Sequence, residues 1–398
     1  MHSKKMRLLC TVMALVLFVA SLPAAGAEET GQAGLTFGDV NGDTKVDPAD
    51  ALAILQHTVK LSEIPTEQQR VADVNMSGAI DATDALHVLQ KSVELIEYFS
   101  AEVDYETGRA LSGIFNRGTL EQVDEEHTAI GSDIGLHNAD MVWVGGTLYA
   151  YYPAEDGIHL AKSSDGIEFT DSGVVIPSSE EFWAAGGADN PSVFVDQGTY
   201  YLAYDGTNAA GKNSICLATS SDGVQFQSQG EILFHSGMGA ETVSVSRPDI
   251  MKDGSTWYLT YTADNGTVQQ ICVACGRDDL YSLDRLPGNP VLKVAPQGYD
   301  SGILGRRDVI YSGGWYYMVY EVSTEQPYGE ASWGHTFARS KDLIHWDVLG
   351  KLLYPATGGG MGHDGPNWYV DGDDVYVYFR ARDAAPNSTT RTKLVPIE

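Results

Sequence analysis

The sequence contains few positive charges and no strongly basic segment. Of its 398 residues, 25 are lysine or arginine and 54 are aspartate or glutamate, giving a formal net charge of -29. A surface of this sign repels the phosphates of nucleic acids and anionic lipid headgroups. The composition therefore excludes nucleic-acid binding as an interpretation, and no membrane partner is predicted.

Cysteine is also scarce. Four cysteines occur, and Cys216, Cys272 and Cys275 are the three that follow the N-terminal region. Three thiols cannot all pair, and the Cys-x-x-Cys pair lies in a strand-like segment that points its thiols to opposite faces, unlike a zinc knuckle. We predict small, buried core cysteines, with a Cys216–Cys272 disulfide as the alternative.

Long apolar runs are limited to one, from Leu8 to Leu22, with three basic residues before it and Ala25-Gly26-Ala27 after it. This order is typical of a secretory signal peptide. The run is shorter than the roughly 20 residues that a membrane-spanning helix needs. The sequence predicts a signal peptide at residues 1–27 and a secreted, extracellular mature protein.

Two twelve-residue segments, Asp39–Asp50 and Asp73–Asp84, place oxygen-bearing side chains at positions 1, 3, 5, 9 and 12. Calcium binds six to eight oxygens, and this spacing wraps them around one ion, with the carbonyl of position 7 as a further ligand. Apolar residues at helical spacing follow each segment. The sequence predicts two calcium ions in a loop–helix–loop–helix domain. The predicted ligands are Asp39, Asn41, Asp43, Lys45, Asp47, Asp50, Asp73, Asn75, Ser77, Ala79, Asp81 and Asp84.

This duplicated unit resembles a type I dockerin over residues 36–98. The resemblance implies attachment to a cohesin module of a scaffoldin, and so a cellulosome-bound protein. It also implies that positions 10 and 11 of the two loops face the cohesin. These positions differ between the loops and from the Ser-Thr pair of the best-known dockerins, so neither the cohesin nor symmetric docking is predicted. The residues concerned are Pro48, Ala49, Ala82 and Thr83.

From about residue 133 a strand–turn–strand pattern repeats five times. The copies begin near Ala139, Asn190, Arg247, Arg307 and Gly365. Repeats of about 50 to 60 residues with four short strands are typical of β-propellers. The fold class predicted is mainly all-β: a five-bladed β-propeller at 133–398, with a small α-helical, calcium-binding dockerin domain on its N-terminal side.

The last repeat is one strand short. Residues 99–132 connect the two domains, and we predict that Leu111–Val123 supplies the missing outer strand and closes the ring. Closure of this kind protects the edges of the sheets.

The repeats resemble the five-bladed glycoside hydrolase superfamily that includes families 43, 32, 62 and 68, the arabinanase, xylosidase and fructosidase group. The segment Asn190–Tyr204 and the repeated Ser-Ser-Asp-Gly motif carry this resemblance. It implies hydrolysis of glycosidic bonds in plant polysaccharides that contain arabinose, xylose or fructose. An oligosaccharide or polysaccharide would be the second partner, besides the cohesin.

Acidic residues near the start of the inner strands are expected to converge on one funnel. Glycoside hydrolysis needs two carboxyl groups in different protonation states, and crowded carboxylates raise one another's pKa. By the resemblance, the catalytic base is Asp140, two residues after the family's aspartate position, and Asp249 tunes the acid. The family's Glu-Gly-Pro glutamate is missing, so Glu241, Glu321 and Asp308 are alternatives for the general acid.

Other residues of the funnel are predicted to contact the substrate. Trp183 and Trp333 lie in irregular stretches where an aromatic ring can stack on a sugar. Arg306 and Arg307 either neutralise the acids or bind a substrate carboxylate. The Gly362-His363 pair resembles a family element that supports a water or an ion at the propeller axis. The full set is His137, Trp183, Asp189, Arg306, Arg307, Trp333, His363 and Asp364.

Two other interpretations stay open. Any one of these aspartates can also cap a turn before a strand. Because a fold does not determine a function, a non-catalytic propeller that binds glycans on a scaffoldin, or a purely structural partner, fits the same repeats. The missing glutamate favours the glycan-binding alternative.

Overall fold

The computed structural model describes ten segments of the chain, which belong to two compact units divided in the sequence between Ala110 and Leu111. The segments are 36–77, 79–96, 98–116, 120–128, 136–178, 184–324, 333–349, 363–371, 374–381 and 389–396. The predicted signal peptide lies outside them. No helix in these segments is long and apolar enough to cross a membrane.

The N-terminal unit is helical. Its helices are α1 (Pro48–Thr58), α2 (Thr66–Ala72), α3 (Ala82–Ser92) and the first part of α4 (Ser100–Asn116). Helices α1 and α3 begin alike, because Asp47 and Asp81 each form a capping box with the aspartate three residues later. Such boxes satisfy N–H groups that the first turn of a helix leaves unpaired.

The core of this unit contains equivalent residues from its two halves. Ile54 of α1 and Val88 of α3 are fully buried, 34 residues apart in the sequence. They pack in one cluster with Phe37, Ile64 and Phe99. The predicted loop–helix–loop–helix order is present, and α2 is an additional helix between the halves.

The C-terminal unit is built of strands, as the repeats predicted. Its strands are β1 (Leu120–Thr128), β2 (Asp140–Val144), β3 (Thr147–Ala154), β4 (Gly157–Ser163), β5 (Thr170–Pro177), β6 (Gly187–Asp196), β7 (Thr199–Thr207), β8 (Asn213–Ser220), β9 (Gln227–Leu233), β10 (Ser244–Asp253), β11 (Thr256–Asp264), β12 (Gln269–Arg277), β13 (Asp284–Arg285), β14 (Ile303–Ser312), β15 (Trp315–Ser323), β16 (Trp333–Ser340), β17 (Trp346–Val348), β18 (His363–Asp371), β19 (Asp374–Ala381) and β20 (Thr389–Pro396).

These strands form five consecutive antiparallel groups, which we number in chain order. Groups 1 and 2 are the sheets β2–β5 and β6–β9; groups 3 and 4, β10–β13 and β14–β17, belong to one larger sheet. A single parallel pairing, Gln269 with Ile303, joins those two groups. Group 5 has the order β1-β20-β19-β18. No sheet among the described strands closes on itself, so a closed five-bladed ring stays a prediction.

The outer strand of group 5 comes from the segment before the repeats. Strand β1 pairs antiparallel with β20, from Leu120 opposite Pro396 to Thr128 opposite Thr390. The sequence predicted this strand at Leu111–Val123, which is wrong in its bounds. Residues 111–116 continue α4, and the strand begins at Leu120.

The three cysteines are free and buried, in agreement with the prediction. Cys216 and Cys272 belong to different core clusters, so the alternative disulfide does not form. Burial raises the pKa of both thiols to about 12. Their low thiolate content makes them inert core residues.

Candidate functional site

Each predicted calcium loop is shaped by its own acidic side chains. In the first loop, Asp39 accepts the backbone N–H groups of Gly42 at 2.8 Å, Asp43 at 3.1 Å and Thr44 at 2.8 Å. Thr44 has a φ of +71°, the left-handed conformation that glycine usually provides at position 6. The hydrogen bond from its N–H helps to hold this strained turn in place.

The last aspartate of each loop is fully buried and accepts the same three hydrogen bonds in both halves. Asp50 accepts the N–H groups of Val40, Asn41 and Asp47 at 2.9 to 3.1 Å. Asp84 accepts those of Val74, Asn75 and Asp81 at 2.9 to 3.2 Å. The two loops therefore have the same hydrogen-bonding pattern, although they share few residues beyond the ligand positions.

The donor set of the loops fits calcium. All the side-chain groups at the ligand positions are oxygens from aspartate, asparagine or serine, which a hard cation prefers. Among the described residues, no group of three or more His, Cys, Asp or Glu side chains is placed to hold a metal ion. The carboxylates instead accept backbone N–H groups of their own loops, so coordination of an ion would exchange some of these hydrogen bonds for metal contacts.

In the C-terminal unit, the inner strands of the five groups share a local pattern. In four of them, the residue two positions before a polar side chain has a left-handed backbone conformation. The φ values lie between +47° and +62° at Asn138, Asn190, Arg247 and Gly365. In β14 the corresponding position is Arg306. The polar residues that follow are Asp140, Ser192, Asp249, Asp308 and Asn367.

Four of these polar residues link one group to the next. Oδ2 of Asp140 accepts the N–H of Val193 in β6, and Oδ2 of Asp308 accepts that of Trp368 in β18, both at 2.6 Å. The hydroxyl of Ser192 accepts the N–H of Ile250 at 3.0 Å. The side chain of Asn367 donates to the carbonyl of Ala139 at 2.7 Å, and this hydrogen bond connects group 5 to group 1.

Three of the five polar residues are aspartates that influence one another's ionisation. Burial raises the pKa of Asp308 to about 8, and the charge of Asp140 adds to this. Burial also raises the pKa of Asp249 well above its ordinary value, reinforced by Asp308 and Asp140. The pKa of Asp140 is raised by burial as well, against the opposing effects of Arg306 and the Val193 N–H. Each of the three carboxyl groups therefore binds a proton more readily than an exposed aspartate does.

Two buried arginines accompany these acids. Nη2 of Arg306 donates to the carbonyls of Ala139 and Pro191 at 2.8 and 2.9 Å and lies 4.0 Å from Oδ1 of Asp140. Arg307 donates to the carbonyl of Gly305 at 2.8 Å, and burial lowers its pKa to about 9. Both arginines are 2% exposed. Of the two predicted roles, neutralisation of the acids fits this burial, and contact with a substrate stays a prediction.

Glu241, one candidate for the general acid, lies in a different ion pair. Nε of Arg285 donates to both of its oxygens at 3.0 and 2.8 Å, and the hydroxyl of Tyr261 donates as well. Burial raises the pKa of Glu241, but these hydrogen bonds outweigh it and the pKa is lowered overall. A carboxylate held in its charged form cannot deliver a proton, so this assignment is wrong.

Glu321, the second candidate, holds two strands together. Its Oε2 accepts the N–H of Arg306 at 2.9 Å, and its Oε1 accepts that of Gly365 at 2.7 Å. Asp205 occupies the equivalent place in β7 and accepts the N–H of Arg247 at 2.7 Å. Both oxygens of Glu321 accept backbone N–H groups, whereas one oxygen of Asp308 does so, which favours Asp308 over Glu321 as the acid.

The described residues that were predicted to contact a substrate differ in exposure. Trp333 is buried at the start of β16, so it cannot stack on a sugar and that prediction is wrong. Asp189 is half-buried, and its carboxylate accepts the N–H of Asn190 at 2.7 Å. His137 is also half-buried. Trp183 and the side chains of His363 and Asp364 lie outside the described residues.

Sequence reasoning missed Ser192 and Asn367, which complete the set of linking residues. Only acidic residues were expected at the inner strands, whereas a link between groups needs only a side chain that forms a hydrogen bond. A usable signal was present, because Ser192, Asp249 and Asn367 each follow a proline.

The helical unit can be identified by comparison. Residues 37–91 match the family model of the dockerin type I domain. This part of the chain is a type I dockerin domain. Dockerin domains in general bind calcium and a cohesin, in agreement with the two oxygen-rich loops.

The dockerin domain exposes an apolar face on each of its two similar helices. Leu52 and Leu86 are 54% and 52% exposed, and Val59 and Val93 are 63% and 62% exposed. Leu55 and Leu89 lie between them on the same helix faces. The predicted partner-binding residues Pro48, Ala49, Ala82 and Thr83 are exposed at the starts of these faces.

The strand-rich part of the chain is similar to solved glycoside hydrolases. A thermostable family-43 glycoside hydrolase has a TM-score of 0.53 at 19% identity, covering 66% of this chain and 90% of that chain. An endo-1,4-beta-xylanase from Bacteroides thetaiotaomicron has a TM-score of 0.50 at 18% identity, covering 65% and 90%. At these identities the likeness shows the fold alone. The expected fold resemblance is thereby confirmed. No curated protein matches the sequence.

Proposed function

We propose that this protein is a secreted, cellulosome-bound glycoside hydrolase that cleaves arabinose-, xylose- or fructose-containing plant polysaccharides. The observation that carries the proposal is the cluster of Asp140, Asp249 and Asp308. These aspartates come from three different groups of strands, and burial and mutual repulsion raise their pKa values. Crowded carboxyl groups in unequal environments are what glycoside hydrolysis requires.

The roles follow from the surroundings of each aspartate. Asp308, with a pKa of about 8, would hold a proton at neutral pH and deliver it to the leaving oxygen. Asp140 forms an ion pair with Arg306 at 4.0 Å, which favours its charged form, so it would act as the base. Asp249 would tune the acid, as the resemblance implied, because it and Asp308 influence each other's ionisation.

The dockerin domain would attach the enzyme to a cohesin of a scaffoldin, with two calcium ions in the loops. Asp39 and Asp50 of the first loop and Asp73 and Asp84 of the second would be central ligands. The exposed faces that begin at Pro48 and Ala82 support this contact, because similar apolar surfaces on both helices suit a protein partner. The bound ions would fix the loops and hence the angle between the helices.

A water or a small ion at the centre of the strand-rich unit belongs to the same proposal. Among the described residues, Nε and Nη1 of Arg306, Nη1 of Arg307 and Oδ1 of Asn367 have no hydrogen-bond partner, although they are buried. Unpaired groups of this kind are usual sites of ordered water. Such a molecule would complete their hydrogen bonds.

A second candidate function, a non-catalytic glycan-binding propeller, is favoured by a specific observation. Asp140 and Asp308 each use one oxygen to accept a backbone N–H of the next group, as the hydroxyl of Ser192 also does. Since a serine hydroxyl accepts the equivalent N–H group, this hydrogen bond accounts for the two aspartates without a catalytic role. In that case the protein would display a glycan-binding domain on the scaffoldin.

Sugar release from polysaccharides separates the two functions. The full chain is incubated with arabinan, arabinoxylan, xylan and fructan, alongside Asp308→Asn and Asp140→Asn. Asparagine keeps an oxygen that can accept the same N–H, so both variants should fold. Release by the wild type that either variant abolishes supports the hydrolase.

Asp205→Asn is the matched control, because Asp205 is a buried aspartate whose pKa burial likewise raises to about 8. Its rate per folded molecule should be unchanged. Absence of release from every polymer, with retained glycan binding, would favour the non-catalytic function instead.

A further inference from the structure

A pocket of about 260 Å³ lies beside the end of β9, in the strand-rich unit, and the three aspartates of the cluster are not among its lining residues. Phe234 and Tyr281 line it and are 64% and 53% exposed. The next most exposed aromatic residue described in this unit is Trp143, at 37%. Exposed apolar residues are normally scattered, so two such rings at one pocket indicate a binding surface.

Both rings are held by a fixed backbone. Each directly follows a buried leucine, Leu233 before Phe234 and Leu280 before Tyr281. The carboxylate of Asp279 accepts the N–H of Tyr281 at 2.9 Å. A surface whose backbone is fixed before binding loses little conformational entropy when a ligand arrives.

An ion pair with the buried Glu241 fixes a charged donor, Arg285, in the pocket wall. Arg285 lines the pocket, and its Nη2 donates to the carbonyl of Phe234 at 2.6 Å. Its Nε donates to the buried carboxylate of Glu241, which also accepts from Tyr261. Glu241, excluded above as the general acid, therefore acts as a positioning residue that ties Arg285 to the Phe234 backbone.

The chemistry of the pocket suits a neutral sugar chain. Aromatic faces stack on sugar rings, and a few fixed polar groups provide orientation. Here the polar groups are Ser282, Asp284 and Arg285. One positive and one negative side chain balance each other locally, and a net charge of -29 disfavours an anionic polymer.

We propose that the Phe234–Tyr281 pocket is a second carbohydrate-binding site, which holds a neutral stretch of the polysaccharide apart from the aspartate cluster. The identity of the polymer rests on the proposed function. The site itself rests on the paired exposed rings and the fixed Arg285. A polymer bound at both places would dissociate more slowly than one bound at the aspartates alone.

Affinity gel electrophoresis of the full chain tests the site, with soluble arabinoxylan, arabinan or inulin in the gel. The wild type should be retarded by at least one polymer, and Phe234→Ala/Tyr281→Ala should bind that polymer about tenfold more weakly. Phe234→Tyr/Tyr281→Phe keeps both rings and should bind like the wild type. Tyr98→Ala, which removes an equally exposed ring elsewhere, is the control.

The outcomes separate this inference from the hydrolase proposal. Asp308→Asn should abolish sugar release and keep the retardation. Loss of retardation in the double alanine variant, in a protein that releases no sugar, would support the pocket and refute the hydrolase. Equal retardation of the wild type and the double alanine variant, or no retardation by any polymer, would overturn the proposed binding site.

Sedimentation velocity tests whether the pocket is instead an interface between copies of the chain. A wild-type dimer that the double alanine variant converts to a monomer would show such an interface and overturn the inference.

Discussion

Glu321 accepts the backbone N–H of Gly365 at 2.7 Å and so joins the fourth group of strands to the fifth. Gly365 has a φ of +62°, and a Cβ added there would lie 2.9 Å from the backbone nitrogen of Asn138. The glutamate therefore stabilises a turn that also packs against the first group. Asp205 has the same relationship to Arg247.

Glu321→Gln should destabilise the strand-rich unit. Glutamine has one acceptor oxygen, so either the Gly365 or the Arg306 N–H would be left unpaired, at a cost of about 1 to 3 kcal/mol. Urea unfolding followed by tryptophan fluorescence measures this unit alone, because all seven tryptophans follow residue 142. Glu168→Gln, at an exposed position, is the control. Unchanged stability with loss of sugar release would instead make Glu321 the general acid.

The stability of the same unit should fall as the pH rises from about 5 to 8. The folded-state pKa values of Asp205 and Asp308 are raised to about 8, so the folded protein binds protons that the unfolded chain has released above about pH 4. Each group contributes a slope of up to about -1.4 kcal/mol per pH unit, and this stability is lost as the pH passes 8.

Asp205→Asn and Asp308→Asn should each flatten this dependence. Urea unfolding of the wild type and both variants at pH 5, 6, 7 and 8 provides the measurement. Parallel pH profiles for all three proteins would show that these carboxyl groups are not protonated in the folded state.

Calcium removal should unfold the dockerin domain and spare the strand-rich unit. Once the loop carboxylates lack the ion, their mutual repulsion opposes the turns that Asp50 and Asp84 hold. With EDTA, the circular dichroism signal of helices should decrease while tryptophan fluorescence stays constant. Isothermal titration should give two calcium ions for the wild type and one for Asp50→Ala or Asp84→Ala. An unchanged stoichiometry in both variants would contradict the assigned ligands.

The two halves of the dockerin domain should contribute similarly to cohesin binding. Leu52 and Val59 match Leu86 and Val93 in exposure to within two percentage points. Leu52→Asp/Val59→Asp and Leu86→Asp/Val93→Asp should each weaken binding partially, and all four changes together should abolish it. Surface plasmon resonance on immobilised cohesin measures the effect. Complete loss from one pair alone would show that docking uses a single orientation.

The dockerin domain could be predicted from the sequence because its ligands are close together in the chain. Asp39 and Asp50 are eleven positions apart, and the spacing within the loop decides which groups meet. The helix α2 escaped prediction because its seven residues carry a weak apolar pattern. The strand β1 was misplaced because Leu111–Asn116 continue a helix whose length depends on packing.

The candidate catalytic residues could be predicted only in part. Asp140, Asp249 and Asp308 were found from their place in the repeats, and the structure brings them into one cluster. The hydrogen-bonding roles of Glu241 and Glu321 could not be predicted, since the residues that donate to them are distant in the sequence. Arg285 is 44 residues from Glu241, and Gly365 is 44 residues from Glu321.

The sequence by itself determined the elements that depend on local spacing: two oxygen-rich loops, their capped helices, and repeated strand pairs with polar residues at one end. Only the tertiary structure decided which acids hold protons. A pKa depends on burial and on nearby charges, and those come from distant parts of the chain. Arg306 donates a hydrogen bond to the carbonyl of Ala139, which lies 167 positions away in the sequence, and its side chain is 4.0 Å from that of Asp140. No periodicity in the sequence records such a contact.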